Sequence, residues 1–215
     1  MSAAQTAAAA AARLRGQQGW QGPPLAARRP ALIVLSGLPG TGKSYVAAAI
    51  AQRHPVAVVR SDEVRKALYA HPSYAPGENG FVYLTCYALL ETMLADGYAV
   101  VFDATNLTRA GRKRLHQIAA RAGAPRLVLV TTAPESVVAD RLARRAAGEL
   151  ERYSSDADWV VHQKLASTAE PPGEAGLEVD TSAGIEPALQ AVARLLGRAT
   201  RRRHRTAGRA AWAAS

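Results

Sequence analysis

Eight residues constrain this chain more than any others: Gly37-Leu38-Pro39-Gly40-Thr41-Gly42-Lys43-Ser44, which match G-x-x-x-x-G-K-[ST] at every fixed position. Before them, Ala31 to Leu35 is a continuous apolar run, β-branched in its middle, of the kind that forms a strand buried on both faces. After them, Tyr45 to Arg53 is alanine-rich and free of Gly and Pro, which favours a helix. In this strand–turn–helix setting the glycines at 37, 40 and 42 let the backbone wind closely around a polyphosphate, where a Cβ would clash. Inward-facing amides and the positive end of the helix attract the anion. Lys43 is expected to reach the β/γ-phosphates and the Ser44 hydroxyl to ligate Mg²⁺. Residues 37–45, Tyr45 included, are the expected ATP-binding segment. The alternative, a glycine-rich turn that binds nothing, leaves the intact motif unexplained.

The rest of the chain alternates short apolar runs with helical segments. Strands are expected at Pro55–Arg60, Tyr98–Phe102, Arg126–Val130 and Leu177–Val179. Helices are expected at Asp62–Tyr69 (capped by Ser61), Phe81–Ala95, Thr108–Ala122, from Pro134 to near Gly148, Asp156–Ser167 and Ile185–Leu196. On the long helix Leu84, Tyr87, Leu90 and Leu94 form the expected apolar stripe, and Ala70–Asn79 reads as a loop. Five strands alternating with helices imply an α/β fold, a parallel sheet covered on both faces.

Net charge is +10, but its placement matters more. Residues 1–30 carry four arginines and residues 198–215 carry six, with no acid in either; of 27 basic residues, 17 remain in 31–197 against all 17 acidic ones. The expected folded part is therefore formally neutral. Residues 1–30 read as a disordered leader or, less well, as a transit peptide. Residues 198–215 read as an Arg-rich disordered tail that is solvated or holds nucleic acid by counterion release. No apolar run approaches a membrane span, and the single cysteine, Cys86, suits a packed thiol in a reducing cytoplasm. The five histidines have no metal-ligand spacing and receive no role.

Ligands of open parallel sheets bind at the carboxyl ends of the strands. Asp103 follows the third strand, where a carboxylate can hold Mg²⁺ beside Ser44 or orient an acceptor hydroxyl, or simply begin a turn; Thr105 or Asn106 of the D-A-T-N run could cap the next helix. Asp62 and Arg65 follow the second strand and share a helix face, as a proton acceptor and an anion- or sugar-fixing guanidinium, or as a plain surface ion pair. Arg141, Arg144 and Arg145 open a polar segment, 144–156, suited to a lid. Arg109, Arg112, Lys113 and Arg114 are either an anion contact or a solvated helix face.

GLPGTGKS, then SDEVR, then VVFDATNLTRAGR, then RLARR followed by SSDAD and EPP resemble the P-loop kinases of the polynucleotide 5′-kinase-like and AAA-like group, near gluconate kinase, chloramphenicol phosphotransferase and the toxin-type kinases. The resemblance covers about residues 31–197. It implies an adenylate-kinase-like sheet of order 2-3-1-4-5, with ATP and Mg²⁺ as cofactors. It also implies Asp62 as general base and Arg65 as an acceptor-positioning arginine. Asp103 becomes a carboxylate near metal and acceptor, and Arg141 and Arg145 become lid arginines on the transferred phosphoryl group. The expected acceptor is a hydroxyl of a small molecule or a nucleic-acid 5′ end. The competing reading is an ATP-dependent regulatory or docking module with little or no transferase activity.

Overall fold

The computed structural model describes residues 2–17, 30–149, 157–171 and 176–197. In chain order the elements are α1 (Ala3–Arg15), β1 (Ala31–Ser36), α2 (Lys43–Arg53), β2 (Ala57–Arg60), α3 (Ser61–Leu68) and α4 (Pro76–Ala95). There follow β3 (Ala99–Asp103), α5 (Arg109–Arg121), β4 (Arg126–Thr132), α6 (Glu135–Ala146), α7 (Trp159–Thr168) and β5 (Leu177–Asp180), then a closing helix over residues 186–197.

The five strands form one parallel sheet in the order β2-β3-β1-β4-β5. β1 is buried along its whole length, which explains its unbroken apolar sequence. Its side chains alternate between two cores. Leu32 and Val34 join a cluster with Phe102, Val64, Leu89, Leu90 and Leu115 on the α3–α4–α5 side. Ile33 and Leu35 join Val46, Ile50, Val101, Leu189 and Val192 on the side of α2 and the closing helix. Register carries the chemistry to one edge: Leu35 lies opposite Asp103, and Asp103 opposite Arg60, so three strands end together beside the Gly37–Ser44 turn.

Several boundaries differ from the sequence expectation. The expected disordered leader contains α1, closed at its start by a capping box between Ser2 and Gln5. Ala7, Ala11 and Leu14 bury a small-residue face, Ala11 and Leu14 in the core cluster that includes α4, and Arg15 pairs with Asp96 at 2.7 Å. Alanines that look featureless in composition are helix formers with room for close packing. Residues 18–29, 150–156 and 198–215, which hold the second part of the expected leader, about half of the expected lid and the Arg-rich tail, lie outside the described residues.

Ser61 is not a cap but the first residue of α3, with Arg60 at the N-cap. The expected loop at 70–79 is shorter, because α4 begins at Pro76, where a proline at the first helical position lacks only an N–H the helix does not use. The buried face of α4 includes Leu90 and Leu94 of the expected stripe but otherwise runs through Val82, Cys86, Leu89 and Met93, so that Leu84 and Tyr87 are only half-buried. Thr108, rather than Thr105 or Asn106, caps α5, accepting from the Gly111 amide at 3.1 Å.

Candidate active site

The Gly37–Ser44 turn is shaped by neighbours that leave no space for side chains. Gly37 sits at φ 153°, and a Cβ there would lie 2.4 Å from Thr131 Oγ1 and 2.7 Å from the Thr131 carbonyl. Gly42, the N-cap of α2 at φ 90°, would drive a Cβ to 2.8 Å from Thr181 Oγ1. Three threonines from three elements tie the turn down. Thr41 Oγ1 lies 2.7 Å from Thr131 Oγ1 and donates to the Leu38 carbonyl at 2.8 Å, and Thr181 Oγ1 donates to the Thr41 carbonyl at 2.9 Å. At the entrance, the Gly37 amide donates to the Thr105 carbonyl at 3.0 Å, and Asn106 Nδ2 donates to the Leu35 carbonyl at 2.7 Å. The D-A-T-N run thus supplies one candidate ligand, Asp103, and a clamp on the turn.

Lys43 folds over the turn, its Nζ donating to the Leu38 carbonyl at 2.9 Å. Withdrawal from water, chiefly, brings its pKa down to about 8, against the opposing attraction of Asp103 and Asp62, while the Arg145 charge lowers it further. Asp103 is buried at the end of β3, and burial raises its pKa, against the opposing effects of Lys43, a hydrogen bond from Ser44 and Arg60. Asp62 stands half-buried at the start of α3 and acts electrostatically on both Lys43 and Asp103. Among the described residues no hydrogen bond or ion pair engages its carboxylate. Lys43, Ser44, Asp62, Asp103 and Arg145 therefore share one charge-dense corner. The Ser44 hydroxyl and Asp103 carboxylate form a hard oxygen pair that suits Mg²⁺.

Other expected residues serve different ends. Arg65 is buried, its guanidinium donating to Glu78 and, at 2.6 Å, to Asn79 Oδ1, with Cζ 4.5 Å from the Tyr74 ring centroid. It pairs with neither Asp62 nor solvent. Arg141 braces the turn from behind, donating to Thr181 Oγ1 at 2.8 Å and the Gly40 carbonyl at 3.3 Å. Arg144 is exposed and paired with Glu149 at 3.1 Å. Within the expected basic patch, Arg112 is buried and holds the Asn106 and Pro171 carbonyls, at 3.0 and 2.7 Å, which is neither an anion contact nor a solvated face. Arg114 is exposed and pairs with Glu91 at 3.5 Å. Cys86 is a buried thiol whose pKa burial pushes up.

Two side chains that sequence reasoning passed over also reach the site, one at the corner and one at the turn. Arg60 places Nε 3.7 Å from Asp103 Oδ2, and that Nε is buried without a hydrogen-bond partner. Its signal was its position as the last residue of a strand ending beside Asp103. His162 of α7 donates through Nδ1 to the Pro39 carbonyl at 2.8 Å and stacks on Trp159 at 4.9 Å between ring centroids. An isolated histidine carries no spacing signal for such a contact.

A family model described as an AAA domain matches residues 32–172. Among solved structures, a gluconokinase from Sinorhizobium meliloti 1021 is 25% identical with a TM-score of 0.55, over 80% of this chain and 97% of its own. The Mycobacterium tuberculosis APS kinase in complex with AMPPNP and APS is 21% identical with a TM-score of 0.57, over 80% of this chain and 99% of its own. Kti12 of Chaetomium thermophilum in complex with ADP-AlF3 is 20% identical with a TM-score of 0.57, over 77% of this chain and 98% of its own. A comparison with curated proteins finds no match.

Proposed function

This chain belongs to the AAA domain family, with the fold of the P-loop kinases, and we propose that it transfers the γ-phosphoryl group of ATP to a hydroxyl of an acceptor molecule. The observation that carries the reading is the unengaged, half-buried Asp62 carboxylate standing within electrostatic reach of Lys43 and Asp103. A binding module has no use for a proton acceptor at that point, and a transferase requires one.

In this reading the Gly37–Ser44 turn wraps the β- and γ-phosphates, and Lys43 exchanges its bond to the Leu38 carbonyl for the nucleotide. The acceptor oxygen attacks the γ-phosphorus as the bond to the β,γ-bridging oxygen breaks. The hydroxyl proton passes to Asp62, and ADP leaves. Lys43 and Arg145 offset the charge spread over the transferred group. Arg141 works one step removed, fixing the Gly40 carbonyl and Thr181 so that the turn's amides keep their aim. Ser44 and Asp103 would hold Mg²⁺, which would supply countercharge to the phosphates. The segment 144–156 is the proposed lid. The enzyme is read as cytoplasmic, supported by its one cysteine, Cys86, being a buried free thiol.

The test is purified protein with γ-labelled ATP and a panel of hydroxyl acceptors: sugars and sugar acids, nucleosides, 5′-OH oligonucleotides and aromatic alcohols. Label appearing on one acceptor class supports the reading. ATP bound or slowly hydrolysed, with no label on any acceptor, favours the regulatory module instead.

A further inference from the structure

Between α3 and α4 the chain takes a shape that its local sequence does not favour. Tyr74 sits at φ 56°, in the left-handed region that a bulky side chain enters only when its surroundings impose it. The surroundings here do so. The Glu78 carboxylate accepts from the Ser73 amide and hydroxyl, both at 2.7 Å, from the Tyr74 amide at 3.2 Å, and from the Arg65 guanidinium. Asn79 donates to the Tyr74 carbonyl at 2.9 Å while accepting from Arg65 at 2.6 Å. Arg65 and Glu78 are 5% and 9% exposed, whereas the tyrosine they hold is 43% exposed. Two buried charges are thus committed to keeping an aromatic ring at the surface, against its backbone preference.

The place matters. Arg65 lies one helical turn beyond Asp62 on the same face of α3, and the charges of both reach Cys86 on α4. The Tyr74 ring, stacked over Arg65, is thereby tied to the face of α3 that also carries Asp62.

We propose that Tyr74 is a stacking platform for the acceptor, and that the acceptor carries a planar, electron-rich ring about one helical turn from its reacting hydroxyl. The proposal rests on the reading of Asp62 as the base. A guanidinium 4.5 Å from the ring centroid draws π density toward itself. The ring that remains stacks best, offset, on an electron-rich partner. The C–H face of a sugar is slightly positive and gains less from such a ring. The separation follows from α3, where three residues rise about 4.5 Å. Arg65 then becomes a positioning residue acting through Tyr74 and does not itself grip the acceptor. A free nucleoside, a nucleoside at a chain end and an aromatic alcohol all present this chemistry.

The experiment compares wild type with Tyr74→Phe, Tyr74→Leu and Arg65→Met, each checked for folding by its thermal transition and for nucleotide binding with AMPPNP. With the nucleotide site saturated by AMPPNP, saturation-transfer NMR measures binding of thymidine, tryptophol, pentafluorobenzyl alcohol and gluconate; steady-state assays measure kcat and KM for each alcohol that turns over. We expect thymidine or tryptophol to bind wild type and Tyr74→Phe alike, and pentafluorobenzyl alcohol and gluconate to bind more weakly. Tyr74→Leu and Arg65→Met should weaken ring binding about tenfold, the usual loss for one stacked base. The loss should fall on acceptor KM, with kcat and nucleotide affinity nearly unchanged. A 5′-OH oligonucleotide tested beside thymidine assigns the source: a lower KM for the oligonucleotide points to a chain end, an equal or higher one to a free ring-bearing alcohol. The proposal is overturned if no ring-bearing alcohol binds wild type, if Tyr74→Leu leaves ring binding intact, or if gluconate binding falls by the same factor. Because binding is read without turnover, failure of phosphoryl transfer would leave this result standing on its own.

Discussion

Lys43 offers a pH dependence whose sign follows from the structure. Its pKa of about 8 in the ligand-free protein is far below the 10.5 of a free lysine, mainly because the ammonium is withdrawn from water. Bound phosphates supply the countercharge it lacks and raise that value again, so nucleotide binds the protonated form. Below pH 8 nearly all protein is competent, and affinity is level. Above pH 8 the competent fraction falls tenfold per unit, and apparent Kd rises in proportion. Between pH 7 and pH 9 the loss is therefore about tenfold, or about 1.4 kcal/mol. The nucleotide does not mask this, since its terminal phosphate loses its last proton near pH 6. The causes of the shift predict how the knee moves. Arg145→Gln removes a charge that lowers the lysine's pKa and moves the knee up; Asp62→Asn removes one that raises it and moves the knee down. The assay is isothermal titration with AMPPNP at half-unit steps from pH 7 to pH 9.5, with Lys43→Arg as the non-titrating control. A level wild-type profile, or the same knee in Lys43→Arg, would refute the argument.

Replacing the lysine by methionine should abolish nucleotide binding yet stabilise the ligand-free protein. The shift from 10.5 to about 8 corresponds to roughly 3 kcal/mol, of which the lost bond to Leu38 returns about 1, leaving a Tm rise of about 4–8 °C by calorimetry. A fall in Tm would contradict the desolvation account. Gly37→Ala brings a methyl to 2.4 Å from Thr131 Oγ1, so AMPPNP binding should be lost and Tm should fall by several degrees, because Thr131 is held by Thr41 and cannot retreat. Leu14→Ala empties a fully buried site at about 2–5 kcal/mol if α1 stays docked. α1 is tied down mainly by Ala7, Ala11, Leu14 and the Arg15–Asp96 pair, so undocking is the cheaper response. Hydrogen exchange should show α1 amides losing protection while those of β1 keep it; equal loss in both would overturn that ranking.

The sheet was legible because its signal is local and redundant. The β1 run, the G-x-x-x-x-G-K-S turn and the alternation of strands and helices each point to a parallel sheet, while the order 2-3-1-4-5, which the observed β2-β3-β1-β4-β5 sheet matches, came from the resemblance to the P-loop kinases. The convergence of Lys43, Ser44, Asp62 and Asp103 was legible for the same reason: each stands at or just after the end of a strand that the topology brings to one edge. What stayed hidden depends on partners far along the chain. Arg65 follows the motif in sequence, but Glu78 and Asn79 capture it, and that pairing became possible only because α4 starts at Pro76 and not at Phe81. Arg141 stands at the expected spacing, yet its partner is Thr181, which has no motif of its own. The α1 packing was missed because alanine repeats carry the same composition in a docked helix and in a solvated leader.

The account depends most on Asp62 receiving the acceptor's proton, and that is measured by comparing wild type with Asp62→Asn on whichever acceptor the γ-labelled ATP panel identifies. The substitution keeps size and polarity at the start of α3 and removes only the basic oxygen. The predicted result at pH 7 is a fall in kcat on the order of 10²–10⁴-fold, with AMPPNP affinity nearly unchanged. Turnover by Asp62→Asn at the wild-type rate would contradict it.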